Sequence, residues 1–379
     1  MSAHATNEVR TPAVDRVRVG VIGAGLIAQV MHLHYLRELV DRFETVALCD
    51  IVPGNAAAVA QRFGVSRTFS DWRELLAQPI DAVLILSSGD HAPLAIEAAG
   101  RGIHALVEKP MCYSTADGLQ MVAAAEAAGV TLMVGYQKRY DPAYLRFRDE
   151  LAQIDDARLV QITTLESPYW PYVEHYATLT PAPPSAEQRA ELRRAADAAL
   201  TRAIGEGDPL ERQIYEGVLL ASLVHELNAM RGLLGEPDVL EHASLRAGSL
   251  SLIFRFGDLP LTLDRVDLPG IARYRMEFAA FGPNRRAVLS FPSPFLRSEP
   301  TLIRIEDGVA GSTAARATEE VTSYESAFKR ELIAFHEAIT RGVAPPTAGS
   351  DVVRDIQLCQ SIIECHRTGA PVKRPSDPR

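Results

Sequence analysis

Apolar and polar positions divide the chain into two rhythms. Arg16–Ile22 (RVRVGVI) is a short β-rich apolar run, followed by glycines and then by a helical pattern through Leu39. Thr45–Cys49 repeats the strand signal and Asn55–Phe63 the helical one. Ala82–Leu86 is a continuous apolar run, followed by a helical stretch around Pro93–Arg101. Ile103–Val107 and Val130–Val134 read as further strands, with a helix at Ser114–Ala128 between them. Strands alternating with helices imply parallel βαβ units. Strands that are apolar at every position imply a sheet covered on both faces.

The rhythm changes after Tyr140. Arg158–Ser167, Ala243–Phe256, Leu261–Val266, Arg273–Phe281, Ala287–Phe291 and Leu302–Glu306 are β-type runs separated by turns, which predicts a mostly antiparallel sheet. Pro181–Pro209 is rich in Ala, Arg and Glu but sparse in large apolar residues, and reads as a surface helix or lid. Helices at about Tyr324–Arg341 and Asp351–Thr368 close the pattern, and Lys373–Arg379 is a polar tail. A chain of 379 residues is too long for one ordinary domain and suggests two. The expected division is a flexible tail at 1–15, a first domain at 16–138, and a second at 139–372 with its helical insert at about 181–209, then the tail 373–379.

Composition narrows the class. Apolar residues make up 47% and charged residues 23%, the mix of a soluble globular protein. A formal net charge of −9, without a local Lys/Arg block, argues against nucleic acid as a partner. None of the four cysteines (Cys49, Cys112, Cys359 and Cys365) forms a CxxC pair, so buried or free thiols in a reducing compartment are expected. Cys359 and Cys365 stand six apart beside His366, a spacing that does not converge on a metal, and no metal is expected. Met1–Pro12 lacks the apolar run of a signal peptide, and no stretch approaches the ~18 apolar residues of a membrane span. The expectation is a cytoplasmic protein with no membrane partner.

Gly23-Ala24-Gly25-Leu26-Ile27-Ala28 follows the first strand and opens the first helix as a G-x-G-x-x-A fingerprint. The first Gly allows the tight turn, the second lets a pyrophosphate approach the backbone, and the small third position lets helix and strand pack closely. The helix start offers free N–H groups to the phosphates. Asp50, 27 residues beyond Gly23, ends the next strand, where its carboxylate would hydrogen-bond ribose hydroxyls and repel a 2′-phosphate. NAD is therefore expected, NADP less so. The alternative is a flavodoxin-like sheet whose Asp caps a helix. The fold class expected is an α/β N-terminal Rossmann domain plus an α+β C-terminal domain with a large, mostly antiparallel sheet.

Glu108-Lys109-Pro110 follows the strand Ile103–Val107, and ligands of open α/β sheets bind outside the carboxyl ends of strands. Further segments complete a pattern: Ser87–His91 (SSGDH), His104–Pro110, Gly135–Pro142 (GYQKRYDP), and His225 ahead of Leu233–Pro237 (LLGEP). In these motifs, across nearly the whole chain, the sequence resembles the family of glucose–fructose oxidoreductase, inositol dehydrogenase and MocA. The resemblance implies an NAD(P)-dependent oxidoreductase acting on the CH–OH group of a sugar, cyclitol or sugar derivative. It also implies that Lys109 meets the substrate hydroxyl, that the Lys109–Pro110 bond is cis, and that His225 is catalytic. Tyr136, Gln137 and Arg139 are then expected near nicotinamide and substrate. Gly23, Gly25, Leu26, Ile27, Asp50, Ser87, His91, Glu108, Lys109 and Gln137 are the expected cofactor contacts. Lys109, Tyr136, Arg139, Trp170, His225 and Asn228 are the expected substrate contacts. The open face of the second sheet is expected to make a homo-oligomer, a dimer or tetramer.

One departure matters. The family commonly carries an Asp four residues before the His and another three after it; here these are Ala221 and Asn228. Either His225 works unassisted, or another acid (Glu226, Glu174 or Glu216) substitutes, or the chemistry is altered. Two alternatives therefore stay open. One is a redox-neutral glycoside hydrolase or lyase that uses NAD transiently, and the other is a non-catalytic NAD-binding regulator. His32 and His34 read as surface or interface residues, and His91 as packing near the cofactor. The aromatic stretch Tyr169, Trp170, Tyr172, His175 and Tyr176 reads either as core or as a loop that stacks on pyranose faces.

Overall fold

The computed structural model describes residues 16–374. The predicted tail 1–15 lies outside the described residues, as do the last five residues of the predicted tail 373–379. The first sheet comprises β1 (Val17–Ile22), β2 (Phe43–Cys49), β3 (Arg67–Phe69), β4 (Ala82–Ile85), β5 (His104–Glu108) and β6 (Leu132–Gly135). Its order is β3-β2-β1-β4-β5-β6, every pair parallel. This is the doubly wound Rossmann order, and the chain changes direction between β1 and β4, where a crevice opens at the strands' carboxyl ends. β4 and β6 are buried at every position, as their unbroken apolar runs require. Local signals place the connections: Ser114 caps Thr115–Ala128 by accepting from Asp117 N, and Gly129 ends that helix at φ 66°.

The second sheet has nine strands. They are β7 (Leu159–Glu166), β8 (Val239–Arg246), β9 (Ser249–Phe256), β10 (Leu259–Asp267), β11 (Arg275–Phe281), β12 (Arg285–Phe291), β13 (Leu302–Gly308), β14 (Ala315–Val321) and β15 (Val372–Lys373). Their order is β14-β13-β12-β11-β7-β10-β9-β8-β15, antiparallel except for β7 with β10. Period-two alternation buries Val160, Ile162 and Thr164 on β7, and Leu261, Leu263 and Arg265 on β10. Each apolar side chain so buried is worth ~1.5–3 kcal/mol. Arg265 lies directly opposite Thr164. At that register the buried face turns from hydrocarbon to polar, and this marks the floor of the site.

Several elements differ from the sequence reading. Ala243–Phe256 is two strands, β8 and β9, because Gly248 at φ 81° supports a two-residue hairpin loop. The helix expected from Tyr324 starts at Ala327. Val372 and Lys373, the latter assigned to the tail, add β15 to the edge of β8. The insert holds a helix at Ala186–Ile204 with a Ser185/Gln188 capping box, seated through buried Ala199, Leu200 and Ile204. A second helix, Pro209–Ile214, runs on into a π-helical stretch, Tyr215–Leu223, and then the helix Val224–Leu234. Among the described residues no helix is long and apolar enough to cross a membrane.

Candidate active site at the crevice

The glycine loop fits a dinucleotide on its geometry. Gly23 sits at φ 102°, and a Cβ there would come within 2.6 Å of the Ser87 backbone nitrogen, so the position tolerates only glycine. A Cβ on Gly25 would meet nothing within 4 Å, which leaves its backbone open to a pyrophosphate. Half-buried Leu26 and Ile27 lead into the first helix, which begins with a π-helical turn at Ala28–His32. Asp50 Oδ2 accepts from Ala24 N at 3.0 Å and Oδ1 from Val52 N at 2.9 Å, tying the end of β2 to the glycine loop. A carboxylate offers about four acceptor positions, so Asp50 keeps capacity for ribose hydroxyls.

A strap from the insert crosses the outer edge of this loop. Gln29 donates from Nε2 to Leu179 O and Ala24 O, both at 3.0 Å, and accepts Leu179 N at 2.9 Å. Asn55 pairs in the same two-way fashion with Ala182, donating to its carbonyl at 2.9 Å and accepting its N–H at 2.8 Å. Gln188 donates to Ile51 O at 3.2 Å. Two side-chain amides beside the glycine loop and Asp50 thus hold the strap at Leu179 and Ala182.

Lys109 leaves the end of β5 through a cis bond to Pro110. Its Nζ donates at 2.5 Å to the Ala221 carbonyl, in the π-helical stretch that leads to His225. Burial lowers the Lys109 pKa, while Glu108, Glu226 and Glu166 oppose that shift. His225 is half-buried, with its Nδ1 unpartnered and its ring edge-on to Tyr136 at 5.6 Å. Burial, then Lys138 and Lys109, hold its pKa well below the ordinary value, so the imidazole is neutral and able to accept a proton. Tyr136 is buried, its hydroxyl unpartnered and its pKa pushed up by that burial.

Other expected residues are engaged elsewhere. His91 has both ring nitrogens on carbonyls, Ser87 O at 2.6 Å and Pro110 O at 2.9 Å, so it braces the loops after β4 and β5. Glu108 faces inward: Oε1 meets His32 Nε2 at 2.8 Å and Oε2 accepts Lys109 N. His32, read as a surface or interface residue, is fully buried in that contact, a correction the helix periodicity alone did not supply. Arg139 and Asn228, expected at the substrate, belong to a buried ionic network. Arg139 donates to Asn228 O at 3.2 Å, and Asn228 Nδ2 donates to Asp355 Oδ2 at 2.7 Å. Arg231 completes the network with Asp355, Asp351 and Glu236, which outweigh burial and keep its guanidinium charged. Gln137 is buried in the turn Gln137–Tyr140, and Trp170 is 57% exposed beside Tyr169. Of the alternative acids, Glu216 is held by the Tyr113 hydroxyl and Glu174 is exposed. Residues that the sequence reading passed over line the same floor: Lys138, Thr164, Glu166, Arg265 and Tyr274. The only signal for Lys138 was its place inside the Gly135–Pro142 motif.

Comparisons with known proteins bear on the fold and the cofactor. Residues 17–136 match the family model described as "Oxidoreductase family, NAD-binding Rossmann fold". The chain is 24% identical over 367 residues to the uncharacterized oxidoreductase YrbE of Bacillus subtilis, covering 94% of this chain and 96% of that one. It is 36% identical over 143 residues to inositol 2-dehydrogenase of Acidothermus cellulolyticus, a match that spans 37% of this chain and 42% of that protein. In fold it resembles levoglucosan dehydrogenase, solved with NADH and levoglucosan, at a TM-score of 0.74 and 19% identity over 96% of this chain and all of that one. The Rossmann crevice, its open glycine loop and these matches define an NAD-dependent oxidoreductase. Its residues 17–136 match the family model of glucose–fructose oxidoreductase, inositol dehydrogenase and MocA, the family its motifs resemble.

Proposed function

We propose that the protein interconverts a secondary alcohol and a ketone on a sugar, cyclitol or sugar derivative, with Lys109 and His225 handling the proton. The observation that carries this reading is the Lys109–Ala221 contact, which joins the lysine at the end of β5 to the helix bearing His225. Residues 16–138 then serve as the cofactor domain and 139–372 as the substrate and oligomerisation domain. Gly23, Gly25, Leu26, Ile27, Asp50 and Ser87 cradle the dinucleotide, and bound NAD supplies hydride chemistry. The Lys109 ammonium hydrogen-bonds the substrate oxygen and stabilises negative charge developing there. Neutral His225 takes the hydroxyl proton, its lowered pKa keeping the ring unprotonated before the step. Tyr136 and Trp170 flank the sugar ring. Relatives named for inositol and levoglucosan support a polyhydroxylated ring as substrate. Lys109→Ala should lower kcat by at least ~100-fold, in the range of a lost electrophile, while calorimetry shows NAD affinity within a few fold of wild type. An equal loss of both would contradict the role given to Lys109.

A further inference from the structure

The site lacks an acid at Ala221 and Asn228, yet a carboxylate lies within it. Glu226 follows His225 and is wholly buried. Its Oε1 accepts the Thr164 hydroxyl at 2.6 Å, and its Oε2 is buried with no hydrogen-bond partner among the described residues. A buried carboxylate oxygen left bare is costly unless opposite charge offsets it. That charge is present on the same face: the Lys138 ammonium is buried and lies 5.6 Å from the ring centre of Phe291. Phe291 and Thr164 flank Met276 across the sheet, and Lys109 Nζ is tied to Ala221, five residues before Glu226. Of the other charged groups there, Arg265 pairs with Asp267 at 2.7 Å and lies 3.5 Å from Glu166, which also accepts the Ser222 hydroxyl.

Resting on the reading of Lys109 as the substrate-hydroxyl lysine, we propose that Glu226 is the positioning carboxylate of this site. It replaces the acids missing at 221 and 228 and, through its bare Oε2, keeps the Lys109 and Lys138 ammonium groups charged beneath the substrate. Two lysines crowded in a half-desolvated floor repel one another, and burial alone drives both toward the neutral form. Glu226 opposes that drift at both, and Lys138 in turn favours its ionised form against burial. Glu108, bonded to His32, supports the Lys109 charge alongside Glu226. Ammonium groups held charged are what an oxygen turning anionic requires.

The test reads the titration of Lys109 directly and needs no substrate. Competitive acetylation with acetic anhydride across pH, followed by peptide mass spectrometry, gives its midpoint in wild type, Glu226→Gln and Glu226→Asp. Removing a carboxylate close to an ammonium lowers the midpoint by about 1–3 units, so Glu226→Gln should shift downward by that amount. Glu226→Asp should fall between the two, and it carries the test alone should Glu226→Gln not fold. An unmoved Lys109 midpoint in a folded variant overturns the proposal, whatever happens to activity. Turnover that survives Lys109→Ala is a separate failure: it removes the role on which the inference rests, and the inference with it.

Discussion

His225 shows how environment sets chemistry at the scale of one side chain. A histidine in water has a pKa of about 6.5, but burial and the neighbouring Lys138 and Lys109 hold this one well below that value. Two consequences share one sign. As a base, His225 stays competent on the acid side, so kcat/KM should show no inflection near pH 6.5 and should fall only at lower pH. As a group whose folded pKa is depressed, it contributes stability that is present above about pH 6.5. That stability is lost as pH falls toward the folded pKa. A pH–rate profile with an ordinary imidazole inflection would show the ring to be solvated. Gly25 and Gly23 make a second contrast at this scale. Gly25→Ala adds a methyl to open space and should leave the melting temperature within ~2 °C, the shift of a few tenths of a kcal/mol, while weakening NAD binding at least several fold. Gly23→Ala drives a Cβ into the Ser87 backbone at positive φ and should destabilise the fold itself. Thermal melts beside NAD titrations separate the two.

Strand position put the two glycines and Lys109 forward as candidates, and the family resemblance alone put His225 forward. Glu226 was one of three candidate acids that the sequence could not rank, and Lys138 carried no signal of its own, because a charged residue inside a motif does not announce which way it points. Arg139 and Asn228 were placed at the substrate by motif position. The buried Asp355 and half-buried Asp351, on a helix more than 120 residues away in sequence, hold them instead.

Among the elements, the parallel sheet was readable because strands buried on both faces must be apolar throughout. The strap was not, since Leu179 and Ala182 make their contacts through backbone groups that carry no side-chain signature. The π-helical stretches at Ala28–His32 and Tyr215–Leu223 likewise have no sequence mark, yet the second leads into the helix that bears His225. The strap's pairing with Gln29 and Asn55 joins the insert to the rim of the dinucleotide groove. Replacing both amides, Gln29→Ala with Asn55→Ala, should raise the NAD dissociation rate at least several fold without unfolding the protein. Stopped-flow fluorescence of bound NADH reads that rate; an unchanged rate would mean that the strap does not gate the cofactor.

For the molecule as a whole, the nine-stranded sheet keeps one face under the core and leaves the other half exposed along its middle strands. Ala279 and Val288 face each other there, on β11 and β12, amid Gln161, Thr163 and Thr262. A homo-oligomer through this face is the expected state, and Ala279→Arg with Val288→Arg should sediment as a monomer in analytical ultracentrifugation. A wild-type monomer would place the sheet face in solvent. The central claim, an NAD-dependent oxidation centred on Lys109, is tested most directly by incubating the protein with NAD and a panel of sugars, glycosides and inositols, following reduced-nicotinamide absorbance and product together. The account predicts NADH formed in step with a ketone product, and neither in Lys109→Ala. A product released without net NADH, or NAD binding with no reaction across the panel, would contradict it.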